Sequence, residues 1–115
     1  MNYMLLIYDD ETSWTRMTEA EQGAIYGEYM TFTDDIKKSG HFVAGDPLQA
    51  TTAATTVRVR DGKTLSTDGP FAETREQLGG YYVVRAADLD EATGLAARIP
   101  ASRTGSIEIR PIVEM

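Results

Sequence analysis

Carboxylates and tyrosines are the reactive groups this sequence supplies in number: among 115 residues there are 18 Asp and Glu and 6 Tyr, against one His and no Cys. Three carboxylates stand out. Asp68 and Glu73 share one polar stretch, and Glu28 is the middle member of Glu21, Glu28 and Asp35, which recur every seventh residue. Two carboxylates held close together push one pKa upward and make an acid/base pair, the requirement for proton transfer without a cofactor. Asp68, Glu73 and Glu28 are therefore the candidate catalytic groups, and Tyr8, Tyr29, Phe71 and Arg75 the candidate ligand-binding ones. Each also has a plain structural reading. Asp68 forms turns, Glu73 and Arg75 make a surface pair worth under about 1 kcal/mol, the seven-residue row is a solvated helix edge, and a core tyrosine needs only one hydrogen-bond partner. The single histidine, His41, reads as a surface or packing residue.

Composition narrows the chemistry. Without cysteine there is no disulfide, thiolate metal site or Cys nucleophile, and one histidine leaves only an all-oxygen site for a hard cation, for which no calcium-loop spacing occurs. No phosphate-cradling glycine loop and no nucleophile elbow is present. The expectation is no metal and no cofactor. A net charge of −7, with no basic run longer than Lys37-Lys38, disfavours nucleic acid. The apolar opening Met1–Tyr8 lacks a basic leader and runs into Asp9-Asp10-Glu11. Nothing approaches the roughly 20 apolar residues of a membrane span. The expected protein is soluble and cytoplasmic.

The elements that must position these groups follow from periodicity. Tyr3 to Tyr8 is a short continuous apolar run that reads as a strand buried on both faces, with Tyr3, Leu5 and Ile7 opposed to Met4, Leu6 and Tyr8. Thr18 and Glu21 fit a capping box, and Ile25, Tyr29, Phe32 and Ile36 make one apolar stripe, predicting a helix from Glu19 to Ser39 before Gly40. Phe42–Ala44 is a short strand. Thr55–Arg60 and Lys63–Thr67 flank Asp61-Gly62, a strong hairpin signal. Tyr81–Arg85 follows as a strand. Asp88 and Glu91 repeat the capping-box spacing ahead of Ala92, Leu95, Ala96 and Ile99, with Pro100 closing the helix. Ser106–Val113 is a last, edge strand. This order predicts one α+β domain over residues 1–115: a ferredoxin-like pair of strand–helix–strand units with an inserted β-hairpin, and two helices on one face of an antiparallel sheet. The uncovered sheet face then calls for a second copy, a face-to-face homodimer forming a dimeric α/β barrel.

Residues 68–80, Asp68-Gly69-Pro70-Phe71-Ala72-Glu73-Thr74-Arg75-Glu76-Gln77-Leu78-Gly79-Gly80, form a 13-residue connection between expected strands, where hairpin loops take about two to five. Gly69 and Pro70 would set a bend beside Asp68, Phe71 would pin the loop by burying its ring, and Gly79-Gly80 would permit close backbone approach. The segment resembles the signature of the DGPF branch of the YCII-related family. Further resemblance lies in Asn2–Tyr8, Tyr29-Met30-Thr31-Phe32, Val43-Ala44-Gly45 and Thr56-Val57-Arg58, so that it extends over nearly the whole chain.

The resemblance implies a bacterial dimeric ferredoxin-like α/β barrel with a site in a cleft near the sheet, and no defined reaction. Members of the wider family carry a His–Asp pair with the His on the first helix. Matching Val43-Ala44-Gly45 places that position at Glu28, so the imidazole is absent here and the dyad is not carried over. The expectation is a small-molecule binding or catalytic cleft at the 68–80 loop, with cofactor-independent proton transfer as the chemistry its groups would suit. Because the family accompanies extracytoplasmic-function sigma factors, the alternative is a regulatory interaction module with a sigma factor as partner, the loop being its docking surface. A third reading makes the loop a structural clasp.

Overall fold

A computed structural model describes residues 1–115. The chain runs β1 (Asn2–Asp9), α1 (Glu11–Thr15), α2 (Glu19–Lys38), β2 (Phe42–Pro47), a 3₁₀ turn (Thr51–Ala53), β3 (Thr55–Arg60), β4 (Lys63–Asp68), β5 (Gln77–Arg85), α3 (Leu89–Ala97), a second 3₁₀ turn (Pro100–Arg103) and β6 (Ser106–Pro111). Four strands form one sheet in the order β2-β5-β1-β6, every neighbouring pair antiparallel. This is the ferredoxin-like α+β arrangement expected from the sequence, with the β3–β4 hairpin inserted between β2 and β5 as a separate two-stranded sheet.

Local chemistry explains the elements. The Thr18 side chain accepts from the Glu21 N–H while the Glu21 carboxylate accepts from the Thr18 N–H, closing the capping box of α2. Lys37 and Lys38 occupy its last turn, where cations suit the helix dipole. Asp88 caps α3 by accepting from the Glu91 N–H, but the Glu91 carboxylate accepts from Ala87 instead of the cap residue, so only half of the expected box forms. Asp61 and Gly62 both have positive φ (51° and 74°), the conformation that a two-residue hairpin turn of matching twist requires.

The core lies between one sheet face and helices α2 and α3. Tyr3, Leu5 and Ile7 of β1 and Tyr82 and Val84 of β5 meet Phe32 and Ile36 of α2 and Ala92, Leu95 and Ala96 of α3. Tyr82 is the centre of an aromatic group, edge-on to Phe32 at 5.2 Å and to Phe42 at 6.5 Å. Its hydroxyl shares a 2.7 Å hydrogen bond with Thr33, so the polar end is satisfied while the ring is buried.

The other sheet face carries no helix. Met4, Leu6 and Tyr8 of β1 stand opposite Val83, Tyr81 and Leu78 of β5 and are only half-buried. The two-faced strand expected from the sequence is thus covered on one side and open on the other. Glu108 and Arg110 border the open face on β6, opposite Leu6 and Met4, and Asp46 borders it on β2, opposite Tyr81. Each edge strand ends in a proline, Pro47 in β2 and Pro111 in β6.

The structure corrects the sequence expectations at the start of β5 and after β1. Strand β5 starts at Gln77, four residues before the expected Tyr81, so residues 69–76 alone connect β4 to β5. A bulge at Gly79, between the pairs Ile7–Gly80 and Tyr8–Leu78, lets the ladder continue past the glycines. Gly80 does provide close approach: a Cβ there would lie 3.1 Å from the Asp46 carbonyl oxygen. The short helix α1 has no counterpart among the expected elements; Asp10 caps it, accepting from the Thr12 N–H at 2.9 Å.

Candidate functional site

The loop from Gly69 to Glu76 is built on the base of the hairpin. Asp68 ends β4 opposite Thr55, and Gly69 turns the chain with φ of 101°. The Gly69 N–H donates to the Ala54 carbonyl at 2.7 Å, and the Thr56 hydroxyl donates to the Gly69 carbonyl at 2.8 Å. At the far end the Ser106 hydroxyl donates to Glu76 Oε1 at 2.8 Å, tying the loop to β6.

A second set of bonds frames the loop from α1. The Gln77 amide donates to the Thr74 carbonyl, while Gln77 Oε1 accepts from the Glu11 N–H at 2.9 Å. The Glu11 carboxylate accepts from the Thr51 N–H at 2.7 Å and the Thr51 hydroxyl at 2.8 Å. Thr51, Pro70, Ala72, Glu73, Thr74 and Gln77 line a depression of about 240 Å³ between these segments. Glu11, Thr51, Thr74 and Gln77 are not among the residues that sequence reasoning singles out. The one signal that could have found this frame is Asp10 followed by Glu11 and Thr12, an N-cap with an acidic first turn.

Glu73 lines the depression with its side chain exposed, whereas Asp68 is not among the lining residues. Neither carboxylate takes a hydrogen bond or an ion pair within the chain. Arg75 is exposed, and no Glu73–Arg75 ion pair forms; the ion pairs present are His41–Glu91, Arg98–Asp35, Arg103–Glu28 and Arg110–Glu108. Phe71 is 80% exposed, so it does not pin the loop as its ring was expected to do. The polar bonds through Gly69, Gln77 and Glu76 hold the loop in its place.

Glu28 lies elsewhere. It receives Arg103 at 2.7 Å, and further along α2 Asp35 receives Arg98 at 3.5 Å. These pairs border an open depression of about 530 Å³ on the helix layer, floored by Phe32, over which the Arg98 guanidinium lies at 5.5 Å. It shares no lining residue with the loop depression, so Glu28 is not brought to Asp68 or Glu73. The row Glu21, Glu28 and Asp35 is a solvated edge whose members serve a cap and two ion pairs.

The two candidate tyrosines are separated by the sheet. Tyr8 is on the open face with its hydroxyl 3.5 Å from Glu108 Oε1. Tyr29 is half-buried against the core on the helix side, and burial pushes its phenol up to about 12, opposed by the Ala101 backbone. Tyr81, also on the open face, donates to Asp46 at 2.7 Å, and that carboxylate raises its pKa. His41 bridges elements at the surface: its Nδ1 is 2.7 Å from the Ser39 hydroxyl and its Nε2 is 3.1 Å from Glu91. No cluster of three or more His, Cys, Asp or Glu side chains with metal-binding geometry is present. No helix is long and apolar enough to cross a membrane.

Comparison with known proteins gives two matches. The model of the YCII-related domain matches residues 1–115. An uncharacterised protein of Rhizobium meliloti (strain 1021) is 36% identical over 114 residues, covering 97% of this chain and 92% of the relative.

Proposed function

Because the chain belongs to the YCII-related domain family, we propose that it is a small-molecule binding domain of the DGPF type, working as a homodimer with its site at the 69–76 loop. The observation that carries this reading is Glu73, a carboxylate without an internal partner in a depression whose walls are fixed by side-chain bonds from three separate segments. A preorganised wall with one free acceptor group suits a ligand offering N–H or O–H donors or a positive charge. Glu73 would accept these, Thr74 and Gln77 would orient the ligand, and Asp68, two residues before the lining residue Pro70, would add a second negative charge. If a reaction follows, it is proton transfer through Glu73 or Asp68, with Glu28 left out because Arg103 occupies it.

The dimer is supported by surface area. The chain exposes 8054 Å², whereas a folded monomer of 12.7 kDa is expected to expose about 6,200 Å². Its radius of gyration of 16.0 Å likewise exceeds the roughly 13 Å expected for a chain of this length. The excess of roughly 1,800 Å² is more than the about 800 Å² per partner that a standard interface covers. The half-buried apolar rows of β1 and β5 with a charged border have the make-up of such a surface.

A titration of the protein with a set of small primary amines and polyols, followed by NMR shifts of the Thr74 and Gln77 amides, tests the site. Saturable shifts that disappear in Glu73→Gln support it; shifts confined to other regions in both proteins refute it. A second reading has one observation of its own. Phe71, 80% exposed in the loop that follows Asp68, is the side chain a protein partner such as a sigma factor would cover. Co-purification of a stoichiometric protein that is lost with Phe71→Ser, with no ligand-induced shifts, would favour that regulatory module.

A further inference from the structure

The β3–β4 hairpin makes no ladder with the main sheet, and every residue of its two strands except Thr56 is exposed. A lone two-stranded hairpin is at best marginally stable in water, so a partner layer is needed to hold it. Its two faces differ. Val57 and Val59, 61% and 59% exposed, stand with Thr55, Thr64, Ser66 and the carboxylate of Asp68 on one side. Arg58, Arg60 and Lys63 stand on the other beside Leu65, and none of the three cations is in an ion pair. Three unpaired cations on one face of a chain with net charge −7 are complementary to the rest of that same chain.

Dimensions indicate what the hairpin covers. Four strands at a spacing near 4.8 Å and about seven residues long give an open sheet face of roughly 19 by 23 Å, or about 440 Å² in plan. The molecule measures 48 × 44 × 19 Å, so the hairpin extends alongside a thin slab and does not fold over its own open face. Six residues per strand reach about 20 Å, the width of that face.

We propose that the hairpin is an exchanged arm that lies on a second copy of the chain, its cationic face toward the carboxylates bordering the partner's open sheet: Asp46, which accepts from Tyr81, and Glu108, whose one cationic neighbour, Arg110, is 3.9 Å away. This rests on the dimer reading above and adds the arm as the element that completes the interface. A screened but appreciable charge contribution follows, so association weakens as salt rises.

The absence of cysteine permits a direct test. A photo-crosslinker attached to Leu65→Cys, on the cationic face, in full-length protein is mixed with an isotopically heavy unlabelled copy, and the crosslinked peptides are identified by mass. Sedimentation equilibrium is run in parallel on the parent chain, on Arg58→Glu/Arg60→Glu and on Leu6→Asp. The expected result is light–heavy crosslinks to residues of β1, β2, β5 or β6, and association at least about tenfold weaker in the arm variant with an unchanged circular dichroism spectrum. Crosslinks within one copy only, or equal dissociation constants for parent and arm variant, overturn the arm while the dimer stands if Leu6→Asp is monomeric. A parent chain that is monomeric at every concentration overturns both.

Discussion

Among the glycines, Gly105 leaves the least room for a side chain, and replacing it with alanine gives a sharp expectation. A Cβ at this position would lie 2.1 Å from the Tyr8 carbonyl oxygen and 3.0 Å from both Cα and Cγ of Asp9. The atoms met first are backbone, so no rotamer change relieves the overlap, and the entry of β6 into the sheet must move by about 1 Å to restore ordinary contact. That movement pulls on the Gly105 N–H bond to the Ala101 carbonyl at 2.7 Å, the Thr104 hydroxyl bond to Asp9 at 2.7 Å and the adjacent Tyr8–Ser106 pair. Overpacking of this kind costs about 3 kcal/mol at the upper end of its usual range. Loss of glycine's freedom in the unfolded chain returns up to about 1 kcal/mol, leaving a net loss near 2 kcal/mol. For a chain of this size that lowers Tm by roughly 8 °C. Differential scanning calorimetry measures it, at one fixed protein concentration so that association does not shift the midpoint. A Gly105→Ala midpoint within about 1 °C of the parent would refute the reasoning, since it would mean that this junction is loose.

The opposite sign is expected inside α2. A Cβ added at Gly27, in the helix interior, would meet nothing within 4 Å, so Gly27→Ala should raise stability by about 0.5–1 kcal/mol, readable by urea unfolding. Thr18→Ala removes one half of the capping box and should lower stability by about 1 kcal/mol, with fraying of the first α2 turn seen by amide exchange. Tyr29 should make alkaline stability pH-dependent. Its phenol is held near 12 in the folded chain and near 10 when unfolded, so ionisation of the unfolded state draws stability away as pH rises from about 10 to about 12. Below that window the contribution is constant. Tyr29→Phe should reduce the loss by about 1 kcal/mol after allowance for solvent screening, measured by denaturant midpoints at pH 9 and 12.

Much of the fold is legible in residue order because local and long-range signals agree. The capping box at Thr18 and the stripe from Ile25 to Ile36 both name α2, the Asp61-Gly62 turn names the hairpin and the apolar run Tyr3–Tyr8 names β1, and all three elements form. Where the reading departed from the structure, a non-local partner decided. Gln77 and Leu78 join β5 because Asp9 and Tyr8 are across from them, and a bulge at Gly79 absorbs the mismatch, a pairing that residues 68–80 alone do not disclose. Residue order names one member of the loop depression and none of its frame. Glu73 could be picked from its loop, but Gln77, Glu11 and Thr51 are joined by hydrogen bonds between residues 40 and 66 positions apart. Glu28 faces Arg103, 75 residues away, and helical periodicity has no means of naming that partner.

The prolines that end β2 and β6 bear on the way copies of this chain can assemble. Each sheet edge offers unpaired backbone groups to a neighbouring strand, and Pro47 and Pro111 remove a donor from each edge while fixing a bend there. Growth of the sheet from edge to edge, which has no natural end and leads to filaments, is thereby disfavoured. The open apolar face is the remaining large surface for contact, and face-to-face contact related by a two-fold axis consumes itself at two copies. The same four-stranded sheet thus disfavours open-ended polymerisation along one direction and permits closed association along the other.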